Sequence, residues 1–238
     1  MLEIKNLYVN IGNLSIIQDV SLKVGNGEIV ALIGANGMGK TTLVRAISKL
    51  NNIKSGKILL DGEDITDLSA DKIVEKGIIQ VPEGRKLFPQ MSVRENIEMG
   101  AYAKRARAKE KENLEYVFSV FPELVSMQKQ ACGNLSGGQQ QMVAIARSIM
   151  ASPELLLLDE VMAGLTPTES QEMVELIRDV KEKGVTILMI EHIMPVIMAL
   201  SDTVYVLESG RLICKGTPEE VSQNTQVIES YLGRSQEA

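Results

Sequence analysis

The chain has 238 residues, a formal net charge of −6, two cysteines (Cys132 and Cys214), no tryptophan and a single histidine, His192. That length can bury a full core, and the 45% hydrophobic and 24% charged residues are ordinary for a globular protein. One His and two Cys cannot supply a four-ligand Cys/His zinc site or a disulfide scaffold, and the acidic balance argues against nucleic acid as the main partner. No stretch reaches the roughly 20 apolar residues that a bilayer requires. The start, Met1-Leu2-Glu3-Ile4-Lys5, lacks the basic region and apolar run of a signal peptide. The reduced cytosol is the expected compartment, and work at a membrane would require docking onto another chain.

The first sixty residues alternate with period two. Leu2 to Val9, Ser21 to Val24 and Glu28 to Ile33 read as strands, separated by turns at Gly12-Asn13 and Gly25-Asn26-Gly27. A helix is predicted from Lys40 to Leu50, with Leu43, Ala46, Ile47 and Leu50 on one face, and a strand from Gly56 to Leu60. Met91 to Ala151 is helical in period, and its charged run Lys104 to Glu112 reads as a solvated helix face. Met142, Ile145, Ala146 and Ile149 form the apolar stripe of a core-facing helix. The last third alternates strand and helix. Leu155 to Leu158 has the unbroken apolarity of a central parallel strand. Thr166-Pro167-Thr168-Glu169 is a capping box, and the helix it opens stops at Gly184. Val185 to Ile190 is another strand, Val204 to Cys214 a hairpin turning at Ser209-Gly210, and Thr217 to Glu220 a second capping box. The expected fold class is α/β with a parallel sheet, an antiparallel β start and a helical middle.

Three segments carry chemistry. Gly34-Ala35-Asn36-Gly37-Met38-Gly39-Lys40-Thr41 fits G-x-x-x-x-G-K-[ST] between a strand and a helix. Glycines let backbone amides curl around phosphate, Lys40 supplies positive charge, Thr41 offers a hydroxyl to Mg²⁺, and the helix N-terminus adds its dipole. Leu155 to Leu158 runs into Asp159, a carboxylate placed to bind Mg²⁺ through water. Glu160 follows, and a carboxylate there can polarise an attacking water, which is hydrolase rather than kinase logic. In Leu135-Ser136-Gly137-Gly138-Gln139, Ser136 sits where a helix N-cap belongs, with exposed amides at Gly137 and Gly138 making a second anion site.

The order Gly34 to Thr41, Gln80, Leu135 to Gln139, Leu155 to Glu160 and His192 resembles the ATP-binding subunit of an ABC transporter over essentially the whole chain. Val81-Pro82-Glu83-Gly84-Arg85-Lys86-Leu87-Phe88-Pro89, Glu95-Asn96, Met99 to Tyr102 and the ending Tyr231-Leu232-Gly233 resemble its branched-chain amino-acid importer branch. That branch has two related ATPase subunits. Val81 to Pro89 looks like one of them; Ala163 to Glu169 and Glu191-His192 look like the other, so which one this chain resembles stays open.

The resemblance implies a P-loop NTPase core with a helical subdomain near residues 88–152, in one ABC ATPase domain over residues 1–238. It implies ATP and Mg²⁺ as ligands, with Gly34 to Gly39, Lys40, Thr41 and Thr42 on the phosphates. Thr41, Gln80 and Asp159 would lie around the metal. Ser136, Gly137, Gly138 and Gln139 would close on the γ-phosphate of an ATP held by a second ATPase chain, identical or related. Glu160 would be the general base, Gln80 the sensor of metal and membrane partner, and His192 the γ-phosphate contact. Permease subunits on the inner face of the membrane, and indirectly a substrate-binding protein, are the implied partners, with Val81 to Tyr102 as the docking region. The cargo implied is branched-chain or other hydrophobic amino acids. A non-transport ABC ATPase acting as a mechanical switch is the alternative; a P-loop kinase or GTPase is disfavoured by Leu135 to Gln139. Three positions depart from the family pattern: Ile11 where an adenine-stacking aromatic is usual, Met38 in place of a small loop residue, and Thr166 in place of Asp.

Overall fold

The computed structural model describes residues 1–232, so Gly233 of the family-like ending lies outside the described residues. The chain divides into two compact units, Met1–Ala70 with the chain from Thr186 onward, and Asp71–Val185.

The first unit opens with β1 (Leu2–Ile11), β2 (Leu14–Val24), β3 (Ile29–Ile33), α1 (Lys40–Ile47), β4 (Ile53–Leu60) and the short β5 (Glu63–Asp64). β1 pairs antiparallel with β2 (Leu2↔Val24) and with β4 (Leu2↔Leu60), which is the expected antiparallel start. The predicted helix after Lys40 ends at Ile47, not Leu50. Ser48 caps it, Lys49 turns left-handed at φ 57°, and Leu50 is left exposed, off the apolar face.

The second unit contains α2 (Ala70–Glu75), β6 (Ile78–Val81), α3 (Val93–Glu98), α4 (Lys104–Arg107), α5 (Glu110–Val120), α6 (Pro122–Met127), α7 (Gly137–Met150), β7 (Leu155–Asp159) and α8 (Pro167–Glu182). β6 and β7 are parallel, and every residue of β7 is buried. Burying each of its four leucines contributes about 2 kcal/mol, enough to fix where the strand ends. The Lys104–Glu112 run is not wholly solvated. The Arg105 guanidinium reaches Glu154 at 2.7 Å and the Glu75 carbonyl at 3.2 Å, and Ala106 is fully buried.

The chain then returns to the first unit with β8 (Thr186–Ile190), α9 (Met194–Leu200), β9 (Thr203–Glu208), β10 (Arg211–Gly216), α10 (Pro218–Ser222) and α11 (Thr225–Leu232). β3 lies parallel to both β8 (Ile29↔Ile187) and β9 (Val30↔Thr203), and β9 turns back antiparallel into β10. β3 and β8 are buried at every residue, as a strand covered on both faces must be. α3, α7, α8 and α10 each start with a full capping box, at Ser92/Glu95, Ser136/Gln139, Thr166/Glu169 and Thr217/Glu220. No helix among the described residues is long and apolar enough to cross a membrane.

Candidate active site

In the first unit, the buried β3 delivers Ile33 into the loop Gly34–Gly39. A side chain at Gly34 would lie 2.2 Å from the Leu207 carbonyl of β9, so only glycine lets the chain leave the sheet there. Gly39, left-handed at φ 102°, starts α1 with no side-chain cap and no acidic residue in the first turn. α1 thus starts with neither a side-chain cap nor an acidic side chain against its N-terminus, and its dipole favours an outside anion there. Lys40 is 5% exposed, and its ammonium donates to the carbonyls of Gly34 at 2.8 Å and Ala35 at 3.2 Å. The cation is thus held inside the loop, while Asn36 and Gly37 at the tip are exposed and Thr41 and Thr42 are partly accessible.

Met38 has a structural use that spacing did not reveal. Its thioether accepts from the Ser209 amide at 3.1 Å, and its carbonyl accepts from the Gly210 amide at 3.2 Å. The phosphate loop is thereby tied to the β9–β10 turn. β3 and β8 pair at Leu32↔Ile190, so Gly34 and His192 each stand two residues past the same register point. His192 is exposed at that strand end. Ile11 and Leu14 flank the β1–β2 turn and are 51% and 69% exposed, an aliphatic pair where the family has an aromatic.

In the second unit, β6 and β7 pair at Gln80↔Leu157. Alternation along β7 places Asp159 on the same side as Leu157. Asp159 is 1% exposed. Both polar atoms of the Gln80 amide are buried without a hydrogen-bond partner among the described residues, an arrangement that a protein tolerates where a cation, water or ligand completes it. The Gln80 amide oxygen and the Asp159 carboxylate are hard oxygen donors of the kind Mg²⁺ takes. Glu160 leaves β7 with φ 50°, a strained conformation for a side-chain-bearing residue.

At the start of α7, Ser136 is exposed and its hydroxyl accepts from the Gln139 amide at 3.2 Å, while the Gln139 side chain accepts from Ser136 N–H at 3.0 Å. Gly138 is not exposed as the sequence suggested. It is buried beneath the carboxylate of Glu169, which would sit 2.2 Å from any Cβ placed there. Hydrogen bonds from Thr166 hold the Glu169 carboxyl below the usual carboxylate range, helped by the charge of Arg85 and the Gly138 amide.

Comparison with known proteins decides the family. The ABC transporter family description fits residues 17–163. The chain belongs to the ABC transporter family. The description "Branched-chain amino acid ATP-binding cassette transporter" fits residues 211–236. The chain is 38% identical over 233 residues to the high-affinity branched-chain amino acid transport ATP-binding protein BraG of Pseudomonas aeruginosa, covering 98% of this chain and 100% of that protein. BraF of the same organism, with the same printed description, is 35% identical over 251 residues, covering 99% and 98%. A nucleotide-free ATP-binding cassette from an ABC transporter superposes with a TM-score of 0.86 at 27% identity, covering 97% of this chain and 98% of that one. The P-loop core expected from the resemblance is therefore present, and the chain is an ATPase of the ABC transport machinery. End-to-end similarity to transport subunits decides against the non-transport switch.

The loop between β6 and α3 is clamped by Asn96, which the sequence marked only as part of a family-like stretch, and by Arg147, which it did not mark. Asn96 is fully buried; its oxygen accepts from the Phe88 amide at 2.9 Å, and its nitrogen donates to the carbonyls of Phe88, Met91 and Ser92. Arg147 of α7 donates to the carbonyls of Arg85 and Lys86 and lies 5.9 Å from the Phe88 ring.

Proposed function

We propose that this ABC ATPase powers the uptake of branched-chain or other hydrophobic amino acids, working as a pair with a second copy or a related ATPase chain on the inner face of the membrane. The end-to-end similarity to BraG carries this reading. Permease subunits dock on the loop and helices from Val81 to Tyr102, which lead into a helical subdomain of about residues 88–152. Phe88, Met99 and Tyr102 are 46%, 44% and 78% exposed there, an apolar set that a protein partner would cover. A substrate-binding protein delivers the cargo to the permease.

The loop amides of Gly34–Gly39 and the start of α1 hold the β- and γ-phosphates, with Lys40 neutralising their charge and Thr42 adding a hydroxyl. Thr41 through its hydroxyl, Gln80 through its amide oxygen and Asp159 through a water would hold Mg²⁺, which would supply positive charge against the phosphoryl oxygens. Glu160 takes the proton of the attacking water, and His192 contacts the γ-phosphate and helps orient that water. Ser136, Gly137 and Gly138, with Gln139 bracing the cap, close on the γ-phosphate of the ATP held by the partner chain. Each chain then completes two half-sites, and ATP draws the pair together until hydrolysis releases it.

The test is uptake of labelled leucine by cells with and without this chain, with affinity purification from their membranes. Loss of uptake on deletion, and permease subunits in the purified complex, are expected. Unchanged uptake of every branched-chain amino acid, with no membrane subunit recovered, would overturn the assignment.

A further inference from the structure

The start of α7 already carries an anion of its own. Glu169 sits at the third position of α8, where one carboxylate oxygen accepts from the Thr166 amide at 2.8 Å as half of a capping box. The other oxygen does a second job that the box does not need. It covers Gly138, filling the space a side chain there would need, and the Gly138 amide adds to what keeps it ionised. Arg85 completes the group. Its guanidinium lies over Gly137, within 2.9 Å of where a Cβ would be, and donates to the Gln140 side chain at 3.2 Å, and its charge acts on Glu169. The backbone of Arg85 is left-handed at φ 64°, and its carbonyl is fastened by Arg147 at 3.1 Å. A carboxylate, a helix N-terminus and an arginine thus form a closed electrostatic set in a single chain.

We propose that Glu169 is a built-in stand-in for the γ-phosphate, and that pairing of two ATPase chains exchanges its carboxylate for the phosphate of the partner's ATP on the same amides, with Arg85 as the cation that serves both anions. This rests on the reading that Ser136 to Gly138 close on a partner's nucleotide. Two anions cannot both occupy the space beside Gly138 at the α7 terminus, so the carboxylate must swing away from α7 before the phosphate seats. The empty α7 terminus is never bare, and unpaired chains have a fixed electrostatic barrier to closing without nucleotide. Arg85 gains a dianionic partner on exchange and becomes a phosphate-positioning residue.

Glu169→Gln is a selective probe, because glutamine also serves at the third position of a capping box while the competing charge is gone. Pairing is measured by sedimentation velocity with ATP in Glu160→Gln chains, mixed with the related ATPase chain if that is the natural partner. Glu160→Gln is expected to pair with ATP and not without it. Glu160→Gln/Glu169→Gln is expected to pair at about ten-fold lower protein concentration, the effect of one lost charge-assisted competitor. Glu160→Gln/Arg85→Gln is expected to need at least about ten-fold more. In nucleotide-free single chains, Glu169→Gln should speed exchange of the Gly138 amide while urea unfolding of the chain is unchanged. If Glu160→Gln pairs but the Glu169 change leaves pairing equal or weaker, the stand-in is refuted and the γ-phosphate reading survives. If no chain pairs with ATP, that reading and the stand-in fall together.

Discussion

Asn96 offers a quantitative test of how the loop between β6 and α3 is held. Its amide is fully buried and accepts one hydrogen bond, from Phe88 N–H at 2.9 Å. It donates to three carbonyls, those of Phe88 at 3.0 Å, Ser92 at 3.1 Å and Met91 at 3.3 Å, which share its two hydrogens. Asn96→Ala removes about three net hydrogen bonds at roughly 1 kcal/mol each and strands the Phe88 amide, for a total of about 3–4 kcal/mol. Asn96→Asp keeps the size and the acceptor but turns a carboxylate toward three carbonyls, so the cost is at least as large. Urea unfolding reads the loss of stability, and amide exchange at Phe88 reads the release of the loop. A cost below about 1 kcal/mol with the Phe88 amide still protected would refute the clamp.

The aliphatic pair at the β1–β2 turn leaves room to strengthen base contact. Ile11→Tyr adds a stacking face worth about 0.5–1.5 kcal/mol, and calorimetry should find ATP bound up to roughly ten-fold tighter; no gain would mean the base lies elsewhere. Asp64 sets an acid limb. Hydrogen bonds from Thr66, then Lys57, lower its pKa from 3.8 to about 2. Because the folded pKa is depressed, its stabilisation is present above the ordinary value and is lost as pH falls toward about 2. Urea unfolding between those limits should show a shallower pH slope for Asp64→Asn than for the parent chain. Equal slopes would contradict the assignment.

Much of the fold was legible because it depends on local pattern. Leu155 to Leu158 has no polar residue to place outward, so it could only be a strand covered on both faces, and it is buried throughout. The boxes at Thr166 and Thr217 announced helix starts that the structure bears out. What escaped depends on contacts between distant residues. Nothing within the phosphate loop says that the Met38 thioether meets Ser209. Thr166-Pro167-Thr168-Glu169 showed one partner of Glu169 but not Gly138, which belongs to another helix. Arg105 looked like one charge among many in Lys104 to Glu112, until folding brought Glu154 to it. Leu50 was one position too far along an apolar stripe, because the chain turns left-handed at Lys49 and the periodicity cannot sense it.

The assignment of ATP hydrolysis to these residues turns on Glu160. Steady-state phosphate release by the ATPase pair assembled with the parent chain or with Glu160→Gln, with ATP binding measured in parallel, tests it most directly. Binding should be unchanged while turnover falls by at least about 10²-fold, the usual contribution of a positioned general base. Normal hydrolysis by Glu160→Gln would contradict the account.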